Sequence, residues 1–322
     1  MLNLVYAAGI AFLVVIILGP AMIAYLHRLK FGQSIRAEGP KTHLKKAGVP
    51  TMGGILILLG ITVASFVASP SFQKLTFGLF ITLGFGIIGL IDDFIIVVAK
   101  RSLGLRAREK LLGQILLAII FAFYLLTEGE FGPVTIIPFT GNVWQMPPVL
   151  FFFMTLFVLV GSANAVNLTD GLDGLAAGTV AIAATAYGII ALGAGDVESA
   201  VFAGAIIGAC IGFTWFNSYP AQVFMGDTGA LGLGGALGVL AMFTKTPLTY
   251  AIIGGIFVLE ALSVMLQVTY FRLTGGKRIF RMTPLHHHFE LSGWPETKVV
   301  FRFYVLGLIF GLVGLFSVIG PW

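Results

Sequence analysis

Five aspartates offer most of the chemistry in this sequence. They occur in three short segments and are Asp92, Asp93, Asp170, Asp173 and Asp227. Each segment borders a long apolar run, where an unpaired carboxylate is costly. The adjacent acids in GLIDDF repel each other and are partly desolvated, which suits a general base or a metal ligand. The alternative is structural, with both acids neutralised by Arg106, Arg108 or Lys110 downstream.

The other two acidic segments combine carboxylates with glycines. NAVNLTDGLDGLAAG places four polar side chains within ten positions, namely Asn164, Asn167, Asp170 and Asp173. A helix cap requires only one such residue. In FMGDTG, Asp227 begins a helix and is suited to Mg²⁺, which binds one or two carboxylates together with water and substrate phosphate. A simple N-cap also explains Asp227 taken alone, so the metal interpretation depends on all three segments meeting on one face.

Two further segments are basic. HLKKAGVPTMGG places His43, Lys45 and Lys46 just before the Gly53-Gly54 pair. Lysines beside a glycine-rich helix entrance suit phosphate, and helix-packing glycines next to an ordinary basic flank explain the pattern equally well.

The second basic segment contains three consecutive histidines, followed by Phe and Glu. His286, His287 and His288 cannot share one helix face, so we expect them to meet different partners. They lack the usual zinc-ligand spacing and no cysteine accompanies them. With Lys277, Arg278 and Arg281 nearby, recognition of phosphate or carboxylate is favoured.

The composition places these motifs in a membrane protein. Hydrophobic residues make up 58% of 322 positions, charged residues 10%, and the mean hydropathy is +1.00, which excludes a water-soluble domain. The lone cysteine, Cys210, excludes a disulfide framework. A span needs about 20 apolar residues. About ten segments qualify: 2–26, 49–68, 75–91, 111–127, 149–166, 175–194, 199–216, 229–243, 248–271 and 299–320.

The distribution of positive charge predicts the orientation. Seventeen of the 19 Lys and Arg residues fall in three odd-numbered links between spans, and only Lys74 and Lys245 lie opposite. Basic links favour the cytoplasm, so both termini are expected outside and the aspartates at the cytoplasmic face. Residues 128–148 contain turn-separated alternation that predicts a small outer-face hairpin. The expected fold is therefore an all-α membrane protein in a single domain, residues 1–322.

These motifs together resemble the phospho-N-acetylmuramoyl-pentapeptide transferase family. The resemblance rests on KAGVPTMGG, the DD pair, GLRAREKLLGQ, NLTDGLDGLA, FMGDTGALGLGG and MTPLHHHFELSGW, and extends from Arg36 to Arg302. DD, NLTDGLDG and GDTG are similar to the wider polyprenyl-phosphate hexose-1-phosphate transferase superfamily, and the contiguous histidines to the muramoyl-pentapeptide branch. In one departure, Ile96 stands where family members often have Lys, so any role of that lysine falls to Lys100 or Arg101 or is absent.

The resemblance implies transfer of phospho-MurNAc-pentapeptide from UDP to undecaprenyl phosphate in the bacterial inner membrane, with release of UMP and a requirement for Mg²⁺. It implies Asp92, Asp93 and Asp227 as catalytic carboxylates, with Mg²⁺ on Asp227 and one of the first two as base. Phe224 is the implied stacking platform for uracil. The implied substrate-binding set is Lys46, Asn167, Asp170, Gly171, Leu172, Asp173, Asn217, Phe224, Gln267, Arg281, His286, His287 and His288.

Other functions stay open at this point. The sibling branch of the superfamily transfers N-acetylglucosamine 1-phosphate. A proton-coupled transporter would explain Glu260 inside a span, but it should show paired repeats and a site near the bilayer midplane. A scaffolding protein would leave the five aspartates unexplained. Gly- and Phe-rich outer spans permit a homodimer, and nucleic acid is not an expected partner. Direct attack by the lipid phosphate is favoured over an aspartyl intermediate.

Overall fold

Long apolar helices form most of the computed structural model, which describes residues 1–29, 46, 48–98, 104–128 and 132–319. The helices are α1 (Leu2–Arg28), α2 (Gly54–Ala68), α3 (Gln73–Val97), α4 (Ala107–Thr127), α5 (Pro148–Thr169), α6 (Leu175–Gly193), α7 (Val197–Asn217), α8 (Gly226–Phe243), α9 (Tyr250–Ile253), α10 (Gly255–Leu273), α11 (Leu285–Leu291) and α12 (Glu296–Ile319). Two strands, β1 (Val134–Ile136) and β2 (Val143–Gln145), form a hairpin. Several residues of the basic segments lie outside the described part: Lys30, Arg36, Lys41, His43, Lys45, Lys100 and Arg101.

Nine helices within these ranges are long and apolar enough to cross a membrane. The chain is therefore a multi-pass membrane protein. The remaining predicted span differs in length, because α2 has only 15 residues and begins at Gly54 rather than near Val49. The residues before it pair with another segment instead: Phe224 N–H donates to the Pro50 carbonyl at 2.8 Å, and Gly53 N–H donates to the Phe224 carbonyl at 2.9 Å.

Two other predicted spans have different boundaries. The run from 248 to 271 is divided at Gly254 into the single turn α9 and the longer α10. Helix α3 continues beyond Ile91 to Val97, so Asp92 and Asp93 lie inside it rather than after it. Continuation of the apolar sequence FIIVV explains why the helix does not stop at the acids.

Helix α8 is the centre of the bundle. Every residue from Thr228 to Phe243 is buried, as expected of a helix that is apolar on all sides. Glycines permit close contact with its neighbours. A Cβ on Gly89 of α3 would lie 2.1 Å from the Asp227 carbonyl oxygen, and one on Gly54 of α2 would lie 2.1 Å from the Gly229 nitrogen. These contacts bring the acids of α3 next to the first turn of α8.

The hairpin lies at the other end of the bundle. Its antiparallel strands pair Val134 with Gln145. Ile136 N–H donates to the Lys245 carbonyl at 2.9 Å, and Phe139 N–H donates to the Ser317 carbonyl at 2.8 Å. These acceptors lie at the C-terminal ends of α8 and α12, whereas Asp227 begins α8. The hairpin predicted within 128–148 is confirmed, and it is separated from the aspartates by the length of the bundle.

Candidate active site

Asp227 is the centre of a polar cluster between three helices. One carboxylate oxygen accepts a hydrogen bond from Asn167 Nδ2 at 2.7 Å, and the other is bound by the Lys110 ammonium. Asn167 lies near the end of α5 and Lys110 in the first turn of α4. The structure thus joins two of the three acidic segments with a lysine that the sequence offered only as a neutralising partner.

Lys110 also reaches the first acid of the DD pair. Its Nζ lies 3.5 Å from Asp92 Oδ2, while Asp92 Oδ1 accepts the Leu105 N–H at 2.7 Å. Gly104, at φ +57°, passes so close that a Cβ would lie 2.6 Å from Asp92 Oδ1. A single ammonium therefore contacts two carboxylates, one from α3 and one from α8, and for Asp92 this is the contact that the structural alternative describes.

Asp93 has a different environment. Its oxygens accept the N–H groups of Asp227 at 3.1 Å and Thr228 at 2.9 Å, and the Thr228 hydroxyl at 2.6 Å. The N-cap residue of α8 is Met225, which supplies no side-chain cap. Asp93 supplies that cap from α3, where the helix N-terminus favours a negative charge. The structural alternative is thus wrong for Asp93, which bonds to α8 rather than to a downstream basic residue.

The turn after α5 is bound by a second lysine. Lys46 Nζ donates to Asp173 Oδ1 and to Glu296 Oε1, each at 2.6 Å. Glu296 also accepts the Asp173 N–H at 2.8 Å, which links this turn to the start of α12. Burial alone would lower the pKa of Lys46, but the bonds to Asp173 and Glu296 outweigh it and raise that pKa. Lys46 is therefore a charged link between three segments.

Asp170, in the same turn, is held neutral. Burial, followed by the nearby charges of Asp227, Asp93 and Asp173, raises the pKa of its carboxyl group to about 8. At neutral pH Asp170 is therefore mostly protonated and can donate a hydrogen bond as well as accept one.

Two other predicted residues of this turn have contrasting positions. Leu172 is buried in a small apolar cluster with Val299 and Phe303, so only its backbone is available to a ligand. Gly171 passes against the ring of His286, where a Cβ would lie 2.2 Å from Nε2. The substitution of a larger residue at Gly171 would displace this histidine.

Asn217 and Phe224 lie beside this turn. Asn217 is buried; its Oδ1 accepts the Gly174 N–H at 3.0 Å and its Nδ2 donates to the Val223 carbonyl at 2.8 Å. This amide fixes the segment that carries the half-buried Phe224. Gly53 and Gly54 donate their N–H groups to the carbonyls of Phe224 and Met225. Helix packing, rather than anion binding, therefore accounts for those two backbone amides.

The three histidines of α11 meet different partners, as predicted. Nδ1 of His286 lies 3.0 Å from Glu260 Oε2, and Nδ1 of His287 lies 2.9 Å from Glu290 Oε2. Nδ1 of His288 accepts the Arg281 N–H at 3.1 Å. Of these three rings, His286 is the one that lies against the Asp170–Asp173 turn, next to Gly171.

Gln267 and the Arg281 side chain bond to nearby backbone groups. Gln267 Oε1 accepts the N–H groups of Ile279 at 2.9 Å and Phe280 at 3.0 Å, and the Arg281 guanidinium donates to the Leu291 carbonyl. Both residues thus shape the segment between α10 and α11.

Carboxylate oxygens, which are hard metal ligands, lie around the Lys110 ammonium. Among the described residues, no three His, Cys, Asp or Glu side chains form a group that could hold a metal ion. Asp92 and Asp227 nevertheless already share one cation, the Lys110 ammonium. Carboxylates are the ligands that Mg²⁺ prefers, and it needs only one or two of them. The donor set therefore fits a divalent cation held with the help of a substrate.

Comparison with known proteins identifies the family of this chain. The glycosyl transferase family 4 profile matches residues 75–245, and phospho-N-acetylmuramoyl-pentapeptide-transferase signature 1 matches residues 46–58. Proteins named phospho-N-acetylmuramoyl-pentapeptide-transferase are 52% identical in Desulforamulus reducens, over 98% of this chain and 96% of the relative, and 50% identical in Anoxybacillus flavithermus, over 97% of both. The relative of that name from Bacillus subtilis is 49% identical over 95% of this chain and 94% of its own length. The chain therefore belongs to glycosyl transferase family 4 and, within it, to the phospho-N-acetylmuramoyl-pentapeptide-transferases.

Proposed function

We propose that this protein transfers phospho-MurNAc-pentapeptide from UDP-MurNAc-pentapeptide to undecaprenyl phosphate, forming lipid I and UMP. The observation that carries the proposal is the meeting of Asp92, Lys110, Asn167 and Asp227 at one end of an apolar bundle. In phosphoryl transfer, the protein contributes mainly by positioning the reactants and neutralising charge. A cluster of acids and one ammonium at the membrane boundary is suited to both tasks.

The geometry distinguishes the two acids of the DD pair. Asp93 accepts three hydrogen bonds from α8, which commits its oxygens to closing the first turn of that helix. Asp92 accepts one backbone N–H and faces Lys110. We assign Asp92 as the base that removes the remaining proton from the lipid phosphate, whose second pKa is near 6. The resulting dianion attacks the donor directly, without an aspartyl intermediate.

Asp227 would hold the Mg²⁺ that the family resemblance implies. When bound, Mg²⁺ would neutralise charge on the pyrophosphate of the donor. Lys110 supplies a fixed positive charge at the same place and orients the carboxylates of Asp92 and Asp227. Asn167 fixes the second oxygen of Asp227. These contacts belong to the protein itself and prepare the site before substrate arrives.

The donor is assigned to the surface between the Asp170–Asp173 turn and α11. Lys46 and the protonated Asp170 offer hydrogen-bond donors to its anionic groups. Phe224 supplies a ring for the uracil, held in place by Asn217. His287, His288, Arg281 and Gln267 form the part that reads the muramoyl-pentapeptide.

We assign the site to the cytoplasmic face of the bacterial inner membrane. The support is the positive charge of the links at this end, since Lys74 and Lys245 lie at the opposite ends of α3 and α8. Counting α2, ten spans place both termini outside. Single cysteines at the exposed positions Ser218 and Ser292, on a Cys210→Ala background, should react with an impermeant thiol reagent only from the cytoplasm. Reaction from outside would reverse the orientation.

The reaction is tested with purified protein, undecaprenyl phosphate and Mg²⁺. UDP-MurNAc-pentapeptide should yield a lipid of the mass of lipid I, detected by mass spectrometry of the lipid phase, whereas UDP-N-acetylglucosamine is the matched control donor and should yield almost none. Equal rates with both donors would favour the sibling branch. No lipid product with either donor would reject the transferase assignment.

A further inference from the structure

Glu260 is a carboxylate inside a membrane-spanning helix, and its side chain has no exposed area. Such a group is costly unless it is paired. Both of its oxygens bond to one residue: Oε1 accepts the His286 N–H at 3.2 Å, and Oε2 lies 3.0 Å from His286 Nδ1. Ser263, on the next turn of α10, donates to the Glu260 main-chain carbonyl instead. The carboxylate is therefore directed at His286.

This contact determines which nitrogen of the ring carries a proton. A carboxylate beside Nδ1 requires Nδ1–H, because the oxygen is an acceptor. In the neutral imidazole the other nitrogen, Nε2, then keeps its lone pair. Glu260 fixes the main-chain N–H of the same residue as well, so the orientation of the ring is set at two points.

The second nitrogen is buried and has no hydrogen-bond partner in the described part of the chain. It faces the turn between Asp170 and Asp173, where a Cβ on Gly171 would lie 2.2 Å away. A buried polar nitrogen without a partner is unfavourable in the free protein. An N–H or O–H group of a ligand in that turn would satisfy it.

We propose that Glu260 is a positioning residue for the nucleotide-sugar donor, holding His286 with Nδ1 protonated so that Nε2 accepts a hydrogen bond from an N–H or O–H of the donor. The inference rests on the proposed function, because it takes the donor to lie at the Asp170–Asp173 turn. It gives Glu260 a role at the end of the bundle that contains the aspartates, in place of the midplane transport site considered from the sequence.

Kinetics separate positioning from general structural damage. Glu260→Gln should lower kcat/KM for UDP-MurNAc-pentapeptide by about tenfold to a hundredfold, the range expected when a partner that orients an imidazole is lost. The KM for undecaprenyl phosphate should stay unchanged. Ser263→Ala is the matched control on the same helix and should stay within about twofold of wild type. Equal changes in the KM for UDP-MurNAc-pentapeptide and the KM for undecaprenyl phosphate in Glu260→Gln would overturn the proposal.

A second variant tests Nε2 directly. His286→Asn keeps an N–H donor toward Glu260 but has no atom at the position of Nε2, so it should show a similar loss in kcat/KM for the donor. The Glu260→Gln, His286→Asn double variant should be no slower than His286→Asn alone, because Glu260 acts through the ring. Wild-type donor kinetics in His286→Asn would contradict the proposal, as would multiplicative losses in the double variant.

The protonation state of the His286 ring can be measured without catalytic turnover. ¹⁵N spectra of histidine-labelled protein, assigned with His286→Asn, should show Nδ1 protonated and Nε2 unprotonated near pH 7.5. A proton on Nε2 would overturn the proposal, even if Glu260→Gln cannot be purified. If the wild type releases no UMP, the proposed function fails, whereas the spectrum still tests the placement of the proton.

Discussion

Asp93 on α3 binds Thr228 on α8 twice, accepting its backbone N–H at 2.9 Å and its hydroxyl at 2.6 Å. The two residues are 135 positions apart, and the contact closes the first turn of the central helix. An acid that resembles a catalytic group in the sequence is thus also a cap for another helix. Loss of activity in an Asp93 variant alone would not distinguish the two roles.

Stability measurements distinguish a catalytic role of Asp93 from its role as a helix cap. Asp93→Ala should lower the free energy of unfolding by about 1–2 kcal/mol, the usual effect of losing a helix cap, and should reduce the midpoint of thermal inactivation in detergent. Thr228→Ser keeps both donors to Asp93 and serves as the control. An unchanged midpoint in Asp93→Ala would show that the carboxylate does not stabilise α8.

Lys110 should be essential for turnover. Its ammonium neutralises Asp92 and Asp227 at the place where phosphate charge must be stabilised. Lys110→Gln should reduce kcat about a hundredfold or more, comparable to the loss of a preorganised electrostatic group elsewhere. Arg108→Gln, an exposed neighbour on the same helix, should stay within about twofold. Similar rates of UMP release from both variants would remove Lys110 from the site.

Asp170 should make stability depend on pH. The folded protein keeps this proton up to about pH 8, whereas the unfolded chain releases it near the ordinary value of 3.8. The folded state therefore binds more protons between these values, and stability falls as the pH rises from about 4 to about 8. In Asp170→Asn, which stays neutral, the fall should be smaller. Thermal midpoints at pH 5 and pH 9 in EDTA measure the difference, and parallel curves would refute it.

Gly89 should tolerate no side chain. A Cβ there would lie 2.1 Å from the Asp227 carbonyl oxygen, so Gly89→Ala must separate α3 from α8. We expect a large loss of both thermal stability and activity. Gly161→Ala on α5 is the matched control, because a Cβ at Gly161 meets no atom within 4 Å. Equal stability of the two variants would contradict the close approach.

The sequence predicted the components of the site better than the contacts between them. Asp92, Asp173 and Asp227 are recognisable because carboxylates are rare beside apolar runs. The contact of Lys110 with Asp227 and that of Glu296 with Asp173 are not, because these partners are 117 and 123 positions apart and neither contact follows a periodic pattern. In the sequence, Glu296 has the features of an ordinary acid in the first turn of a helix, here α12. Helix packing alone brings these charges together.

The fold shows the same difference. Hydropathy locates most spans but overestimates α2, because a backbone pairing between Pro50 and Phe224 delays the start of its helix. The hairpin was predictable from turn residues, whereas its contacts with Lys245 and Ser317 depend on where two helices end. Glu260 taken alone is compatible with a midplane site. Its partner His286, on a separate helix, instead links it to the end of the bundle that contains the aspartates.

Release of UMP by lipid-free enzyme tests the central claim most directly. With UDP-MurNAc-pentapeptide and Mg²⁺ alone, the wild type should release no UMP, and addition of undecaprenyl phosphate should give one UMP for each lipid product. Asp227→Asn should remain folded and inactive, because an amide is a poor ligand for a hard cation. A stoichiometric burst of UMP before the acceptor is added would contradict direct attack. Activity of Asp227→Asn above about a tenth of wild type at saturating Mg²⁺ would contradict the assignment of Asp227 as the centre of the site.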